Sequence, residues 1–248
     1  MTRYGLIGFP LTHSFSQRYF TEKFLREGIE NSRYDLFEMA DVGDSLPDLL
    51  TMPGLRGLNV TIPHKQAVLP YLDRLDSSAQ KVGAVNVIKL ESDGTKTGYN
   101  SDYYGFRQSV TDWLASLGRS TNGLQALVLG TGGASKAVLV ALSDLGISYR
   151  SVSRTKTADN ASYDELPELI SDYALIINCS PVGTYPHTNE APALPYDKLT
   201  DRHLLYDLVY NPAETQFMKH GLERGAAVMN GYQMLVLQAE KAWAIWQQ

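Results

Sequence analysis

The stretch Gln125-Ala126-Leu127-Val128-Leu129-Gly130-Thr131-Gly132-Gly133-Ala134-Ser135 places a glycine-rich turn directly after a short apolar run. Its pattern predicts a buried strand over 125–130, a turn over 131–133 and a helix over 134–145. Glycines in such a turn let the backbone approach a pyrophosphate, while the helix N-terminus offers free N–H groups and a positive dipole end. We therefore expect a Rossmann-like unit that binds a dinucleotide through Gly130, Thr131, Gly132, Gly133 and Ala134. An ordinary glycine-rich loop is the alternative.

The end of the next predicted strand, 147–154, indicates which dinucleotide is bound. Enzymes that use the non-phosphorylated cofactor carry Asp or Glu about 20 residues past the glycines, on the ribose 2′-hydroxyl. This chain has Ser153-Arg154-Thr155-Lys156 there, with two cations and no carboxylate. Arg binds a 2′-phosphate through charge-assisted, bidentate hydrogen bonds. Taken alone these residues would be a solvated basic loop, but after the glycine turn they predict NADP.

Strands and helices alternate along the rest of the chain, which predicts an α/β fold with mainly parallel sheets. The predicted strands cover 3–9, 34–38, 55–62, 174–179, 203–209 and 226–229, and a hairpin joins 85–90 to 95–99. The predicted helices cover 14–27, 64–75, 102–117, 213–224 and 234–246. We place a domain boundary near the start of the helix over 102–117.

The composition limits the class of protein. A chain of 248 residues with 44% hydrophobic residues suits two small domains. The net charge of −5 disfavours general binding to nucleic acid or to an anionic membrane, so we expect neither partner. Cys179 is the single cysteine, which excludes an internal disulfide and a thiolate metal cluster. We expect no metal, no signal peptide and no membrane span, and therefore the cytoplasm.

A set of polar residues lies near predicted strand ends in the first half. Asn59 and Thr61 stand two apart on one strand, so they face the same side. Singly, each member has a plainer explanation, such as a helix N-cap for a serine or Asp102, a surface lysine, or a turn for Asn86. Together they suit a small polyhydroxylated acid. The set comprises Ser14, Ser16, Asn59, Thr61, Lys65, Asn86, Asn100 and Asp102.

Eight stretches, in order and spanning nearly the whole chain, resemble the shikimate/quinate dehydrogenase family. The most specific is Asn59-Val60-Thr61-Ile62-Pro63-His64-Lys65. The full set is 8–16, 58–65, 83–86, 100–106, 130–135, 178–183, 207–212 and 231–239. His64, Ser77, Asn230 and Gln233 depart from the usual pattern of the family, while the residues that match its catalytic pair are unchanged.

The resemblance implies reversible reduction of 3-dehydroshikimate to shikimate by NADPH, a step of the shikimate pathway of aromatic amino acid biosynthesis. It implies a substrate domain over 1–101, completed by the C-terminal helix over 231–248, a Rossmann-like NADP domain over 102–230, and a cleft between them. Lys65 and Asp102 match the catalytic pair. The substrate contacts implied are Ser14, Ser16, Asn59, Thr61, Asn86, Tyr210 and Gln238. The cofactor contacts implied are Arg154, Thr155, Leu208 and Gly231, beside the glycine turn and Ser153.

Elementary chemistry gives these residues their roles. Reducing a ketone places negative charge on its oxygen, which a positioned cation or acid stabilises and protonates. Lys65 is the candidate, as proton donor or as electrostatic anchor, because a nearby carboxylate keeps lysine charged whereas burial discharges it. The substrate carboxylate has no arginine in the set to meet it. Ser14 and Ser16, helped by a helix N-terminus, would have to bind it.

Three other functions are alternatives to this interpretation. A quinate/shikimate dehydrogenase of broader specificity often uses NAD, and the lack of an acid near Ser153 argues against it. A methylenetetrahydrofolate dehydrogenase is also two-domain, but the Ser14–Ser16 segment argues against it. A non-catalytic NADP-binding module would need neither Lys65 nor Asp102. We expect a small-molecule substrate and a monomer or homodimer.

Overall fold

The computed structural model describes residues 1–11 and 14–248, and these form two compact units. The first unit comprises Met1–Tyr104 and Gln238–Gln248, and the second comprises Gly105–Leu237. Thr12 and His13, which belong to the first family-like stretch, lie outside the described residues. Each unit is built on its own six-stranded sheet.

The sheet of the first unit has the strand order β2-β1-β3-β5-β6-β4. Its strands are β1 (Thr2–Gly8), β2 (Ser32–Glu38), β3 (Leu55–Val60), β4 (Arg74–Leu75), β5 (Val87–Leu90) and β6 (Lys96–Tyr99). Strands β2, β1 and β3 run parallel, and β5 is antiparallel to both β3 and β6. The predicted hairpin is therefore confirmed. Because Asn59 is paired with Val87 and Val87 with Tyr99, the end of β3, the start of β5 and the end of β6 meet at one edge.

Helices cover both faces of this sheet. They are α1 (Phe15–Arg26), α2 (Val42–Leu50), α3 (Ser77–Val82), the start of α4 (Ser101–Ser116) and the end of α8 (Tyr232–Trp246). One core contains buried residues of α2 and α3, and the other packs α1 and α8 against the sheet. In the second core, Trp246 stacks on Tyr4 with 4.9 Å between ring centroids, and its indole N–H donates to the Ile88 carbonyl at 3.0 Å. This contact explains why the last helix is apolar on most of its faces.

The sheet of the second unit is entirely parallel and has the order β12-β11-β10-β7-β8-β9. Its strands are β7 (Gln125–Leu129), β8 (Ser148–Ser153), β9 (Asn160–Ser162), β10 (Leu175–Asn178), β11 (Leu204–Asp207) and β12 (Ala227–Met229). Helices α5 (Gly133–Asp144), α6 (Leu166–Leu169) and α7 (Gln216–Leu222) connect them. Counted along the chain, this is the strand order 3-2-1-4-5-6 of a dinucleotide-binding sheet, whose switch point lies between β7 and β10. The predicted Rossmann-like fold is confirmed.

The helix predicted over 64–75 is wrong. The chain turns from Thr61 to Val68, forms a short 3₁₀ turn at Leu69–Tyr71 and then enters β4. Pro70 explains the difference, because proline lacks the N–H that a helix interior needs and clashes with the preceding turn. Val68 is nevertheless buried in the core of this unit.

Helix α2 and the edge strand β9 were not predicted. Gly43 and Pro47 within α2 mask its helical pattern. Yet Val42, Leu46 and Leu49 are buried at helical spacing, and the Asp41 carboxylate accepts a hydrogen bond from the Gly43 N–H at the N-terminus. Tertiary packing therefore overrides the weak local preference. Strand β9 has only three residues, too few to show a periodic pattern.

Within 1–11 and 14–248, no helix has the length and apolar character needed to cross a membrane.

Candidate active site and cofactor cavity

The polar edge of the first sheet brings Lys65 and Asp102 together. The Lys65 ammonium donates to the Asp102 carboxylate, with Nζ and Oδ2 2.6 Å apart. The Lys65 side chain is 20% exposed and that of Asp102 is 9% exposed, so the pair is largely shielded yet reachable at the ammonium. The Lys65 carbonyl accepts from the Val85 N–H at 2.8 Å, which fixes the backbone beneath the pair.

Asn86 and Asn100 hold the start of α4, and so they fix Asp102 in its first turn. The Asn86 carboxamide accepts from the Ser101 N–H at 2.6 Å and donates to the Ser101 hydroxyl at 3.0 Å. The Asn100 side chain accepts from the Tyr103 N–H at 3.0 Å, which makes Asn100, rather than Asp102, the capping residue. Asn86 is 5% exposed. A carboxamide carries two N–H donors and two acceptor lone pairs, so the two hydrogen bonds to Ser101 use half of the hydrogen bonds that the Asn86 side chain can form.

A second chain of hydrogen bonds joins Ser16 to Asn86 through Tyr34 and Asn59. The Tyr34 hydroxyl donates to the Asn59 carboxamide oxygen at 2.7 Å, and the Asn59 amide donates to the Asn86 carbonyl at 3.3 Å. Burial raises the pKa of Tyr34, and a hydrogen bond with the Ser16 side chain opposes that rise. Four separate segments thus converge on one polar surface.

Ser14 and Thr61 complete the predicted substrate set in this unit together with Gln238. Ser14 is the N-cap of α1, and its hydroxyl oxygen accepts from the Gln17 N–H at 3.1 Å. This confirms that one of the two serines caps a helix, and it leaves the Ser14 hydroxyl proton available as a donor. Thr61 follows directly after β3, with its N–H bonded to the Ile7 carbonyl at 2.8 Å. Gln238 is half-buried on α8.

His64, which departs from the family pattern, lies in the turn that follows β3. Its side chain is buried, and Nε2 lies 2.6 Å from the Met39 carbonyl oxygen. The imidazole thus links the turn after β3 to the segment after β2.

The glycine turn of the second unit connects β7 to α5 as predicted. Gly130 has φ +99°, a left-handed conformation that L side chains rarely adopt, and its N–H donates to the Val152 carbonyl at 2.8 Å. A Cβ placed at Gly132 would meet no other atom within 4 Å, so the space above the turn is open. Gly132 is the N-cap of α5, and Gly133 and Ala134 form its first turn. Buried Ser135 takes the place of a third glycine, and its hydroxyl bonds to the Gly132 carbonyl at 2.6 Å.

A cavity of about 960 Å³ lies at the carboxyl ends of these strands. Its size and position are those of a cofactor site at the switch point of a doubly wound sheet. Five of the predicted cofactor residues line it, namely Gly130, Thr131, Gly132, Ser153 and Arg154. The other residues that line it were not predicted as site residues, and they are Tyr163, Asp164, 179–182 and 190–193.

The basic loop after β8 has one paired cation and one that faces the cavity. Lys156 forms an ion pair with Glu165 at 2.7 Å, and this contact lowers the pKa of Glu165 to about 2. Arg154 is exposed, lines the cavity and forms no ion pair with the residues that the structure describes. Thr155 is exposed beside it, and its carbonyl accepts from the Asn160 side chain at 3.2 Å. Arg154 is therefore the better placed of the two cations to meet a phosphate.

Leu208 and Gly231 lie against each other near the end of β11. A Cβ on Gly231 would collide with the Leu208 carbonyl, so only glycine fits this contact. The Leu208 N–H donates to the Asn178 carbonyl at 2.9 Å. Asn230 accepts from the Tyr232 N–H at 3.1 Å, which fixes the chain as it enters α8. Tyr210 follows β11 in the second unit and is 39% exposed.

The comparisons with known proteins agree with this geometry. Residues 6–88 match a family model described as the shikimate dehydrogenase substrate binding domain. The chain is 38% identical to the shikimate dehydrogenase (NADP(+)) of Clostridium beijerinckii, over 100% of this chain and 93% of that one. The shikimate 5-dehydrogenase of Thermus thermophilus, solved with NADP(H) and shikimate, has a TM-score of 0.83 and 29% identity, covering 99% and 93% of the chains.

A quinate dehydrogenase from Corynebacterium glutamicum, solved in complex with NAD, is similar as well. Its TM-score is 0.87 at 26% identity, over 99% of this chain and 93% of that one. The higher identity to proteins named for shikimate and NADP(+) extends over the full chain. This chain belongs to the shikimate dehydrogenase family.

Proposed function

We propose that this protein catalyses the reversible, NADP-dependent reduction of 3-dehydroshikimate to shikimate, as an oxidoreductase that acts on a CH–OH group. The observation that carries the proposal is the contact of 2.6 Å between the Lys65 ammonium and the Asp102 carboxylate at the polar edge of the first sheet. A module that only binds a dinucleotide needs no such pair. The reaction places the chain in the shikimate pathway, which leads to the aromatic amino acids.

Lys65 is proposed to act on the oxygen that changes oxidation state. In the reduction, negative charge develops on the ketone oxygen, and an Nζ–H of Lys65 is positioned to stabilise and protonate it. In the oxidation, the neutral amine form of Lys65 accepts the hydroxyl proton and becomes the ammonium. Asp102 holds the ammonium in place through this contact. The contact is compatible with Lys65 as proton donor and with Lys65 as electrostatic anchor.

The substrate is proposed to bind the polar surface around this pair. The hydroxyls of Ser14 and Ser16, near the N-terminus of α1, would meet the substrate carboxylate, since a helix N-terminus favours negative charge. The ring hydroxyls would bond to Asn59, Thr61, Asn86 and Gln238, and Tyr210 is proposed as a further contact. The network through Tyr34 and Asn59 supports this assignment, because it fixes the side chains before substrate arrives.

The cofactor is proposed to occupy the cavity of the second unit, and the residues there fit it. The open space over Gly132 admits the pyrophosphate, and the first turn of α5 offers N–H groups. Arg154, with Ser153 and Thr155 beside it, would bind the 2′-phosphate. Leu208 and Gly231 are proposed as further contacts. When bound, NADPH supplies the hydride.

These assignments give each part of the chain a role. We propose that residues 1–101, with the helix over 231–248, bind the substrate, and that residues 102–230 bind NADP. A location in the cytoplasm and a monomeric or homodimeric state stay predictions.

Quinate is the second candidate substrate, because the quinate dehydrogenase of Corynebacterium glutamicum is similar over the full chain. An absorbance assay at the nicotinamide band separates the candidates, with shikimate or quinate and with NADP⁺ or NAD⁺. We expect kcat/KM to be highest for shikimate with NADP⁺. A higher value for quinate, or for NAD⁺, would favour the second candidate, and no turnover with any pair would favour a binding module.

A further inference from the structure

Asp207 is a buried carboxylate at the end of β11 that the proposed chemistry does not use. Its exposure is 0%, and three donors surround it. The Thr215 hydroxyl donates to Oδ2 at 2.6 Å, while the Val209 N–H and the Asn178 amide donate to Oδ1 at 3.0 and 2.9 Å. Burial raises the pKa of Asp207 to about 6, against the effect of these donors. A buried carboxylate is costly, so this one needs an explanation.

Hydrogen bonds of Asn178 connect Asp207 to the wall of the cavity. Its carboxamide oxygen accepts from the N–H and the hydroxyl of Ser180, at 3.0 and 2.6 Å. Its amide also lies 3.3 Å from the Val182 carbonyl. The segment 179–182, called here the 179–182 loop, lines the same cavity as the glycine turn. Gly130 approaches this loop so closely that a Cβ there would lie 3.3 Å from the Ser180 nitrogen.

We propose that Asp207 is a positioning residue for cofactor binding, which orients Asn178 and thereby holds the 179–182 loop in the shape that receives NADP. The inference rests on the proposed function of this cavity. It assigns Asp207 no contact with cofactor or substrate.

The donors around Asp207 decide what a replacement must preserve. Two N–H groups point at Oδ1, so that position must accept hydrogen bonds. Among the described residues, only the Thr215 hydroxyl donates to Oδ2. A hydroxyl can act as a donor or as an acceptor. Asparagine at position 207 can therefore accept from both N–H groups and donate to the Thr215 hydroxyl oxygen. Leucine, of similar breadth, leaves the Val209 N–H and one N–H of Asn178 without an acceptor.

The test measures NADPH affinity by fluorescence titration of the purified full chain. We expect Asp207→Asn to bind within about twofold of the unmutated protein. We expect Asp207→Leu to raise Kd about tenfold, as the loss of a buried acceptor predicts. In both variants the KM for shikimate should stay unchanged, whereas the KM for NADP⁺ should follow Kd.

Two further variants keep the test decisive if Asp207→Leu does not fold. Thr215→Val preserves side-chain shape and lies outside the cavity lining, yet it removes one donor to Asp207. We expect it to raise Kd for NADPH severalfold. Ser109→Ala is the matched control, because it removes another buried hydroxyl of this unit, 2.6 Å from the Tyr206 hydroxyl, without touching the 179–182 loop. We expect Ser109→Ala to lower the free energy of unfolding and to leave the Kd for NADPH unchanged.

Normal NADPH affinity in both Asp207→Leu and Thr215→Val would overturn the inference. A loss of affinity in Asp207→Asn equal to that in Asp207→Leu would overturn it as well, since the charge rather than the hydrogen-bond geometry would then matter. If the unmutated protein does not bind NADPH, the proposed function of the cavity fails instead.

Discussion

The Lys65 ammonium lies 2.6 Å from the Asp102 carboxylate, although 37 residues separate them in the chain. The pairing of Asn59 with Val87 and of Val87 with Tyr99 brings their two segments to one edge of the first sheet. Asn86 then fixes the start of α4 through two hydrogen bonds to Ser101. The sheet register and the hydrogen bonds of Asn86 therefore help to bring the two residues together.

This contact predicts that Lys65 and Asp102 act as one unit. We expect Lys65→Ala and Asp102→Ala each to lower kcat by about 10²–10⁴-fold, the typical value of positioned acid–base catalysis. The double variant should be scarcely slower than the slower single variant, because residues that act together are strongly non-additive. Steady-state kinetics of the four proteins measures this. Losses that multiply would show that the residues act independently.

The cofactor preference depends on Arg154. We expect Arg154→Asp to raise the KM for NADP⁺ about ten- to hundredfold, since hydrogen bonds to charged groups contribute about 1.5–3 kcal/mol. The added carboxylate would also repel a 2′-phosphate, while the KM for NAD⁺ should change little. Lys156→Met is the control, and it should have a smaller effect because Lys156 already pairs with Glu165. Equal use of NAD⁺ and NADP⁺ by the unmutated protein would refute this role.

We expect binding of the substrate carboxylate to depend on Ser14 and Ser16. Replacing both by Ala should raise the KM for shikimate far more than that for NADP⁺, at about 1.5–3 kcal/mol for each lost bond to a charged group. Asp41→Ala removes the N-cap of α2 and controls for the loss of a cap, which costs about 1 kcal/mol. If the serine variant raises both KM values equally, the serines only stabilise α1.

The free energy of unfolding should change with pH as Asp207 titrates. Burial raises its pKa from an ordinary value of 3.8 to about 6, so the folded state holds this proton more tightly than the unfolded chain. The contribution of Asp207 is therefore fully favourable below about pH 4, falls as the pH rises to about 6, and stays constant above that. Asp207→Asn has no such titration. Its free energy of unfolding, relative to the unmutated protein, should rise by up to about 3 kcal/mol across that interval.

Urea unfolding at a series of pH values provides that comparison. A difference between the two proteins that does not change with pH would mean that Asp207 has the same pKa in the folded and unfolded states.

The second unit was largely predictable from the sequence, because its elements carry strong local signals. Strand β7, Gly130 with its positive φ, and the start of α5 follow the order that a pyrophosphate site requires. The cavity-lining residues that were missed are Tyr163, Asp164, 179–182 and 190–193. The position of 179–182 directly after a predicted parallel strand could have identified that segment, since ligands bind at the carboxyl ends of such strands.

In the first unit, the polar residues of the candidate site could be predicted from the sequence, but the hydrogen bonds between them could not. The spacing of Asn59, Lys65, Asn86 and Asp102 near strand ends identified the set, whereas Tyr34 was assigned only to a strand. Tyr34 lies on β2 and Asn59 on β3, with β1 between these strands, and the Tyr34 hydroxyl reaches across β1 to Asn59. Such contacts depend on sheet order and register, which local sequence patterns do not specify.

The most direct test of the account compares the unmutated protein with Lys65→Met in the oxidation of shikimate by NADP⁺, at saturating concentrations of both. Lys96→Met is the matched control, because it breaks another ion pair of the first unit, 3.0 Å from Asp73, outside the site. The account predicts turnover in the unmutated protein and in Lys96→Met, and a loss of about 10²–10⁴-fold in Lys65→Met with NADPH affinity unchanged. Near-normal turnover in Lys65→Met would contradict it.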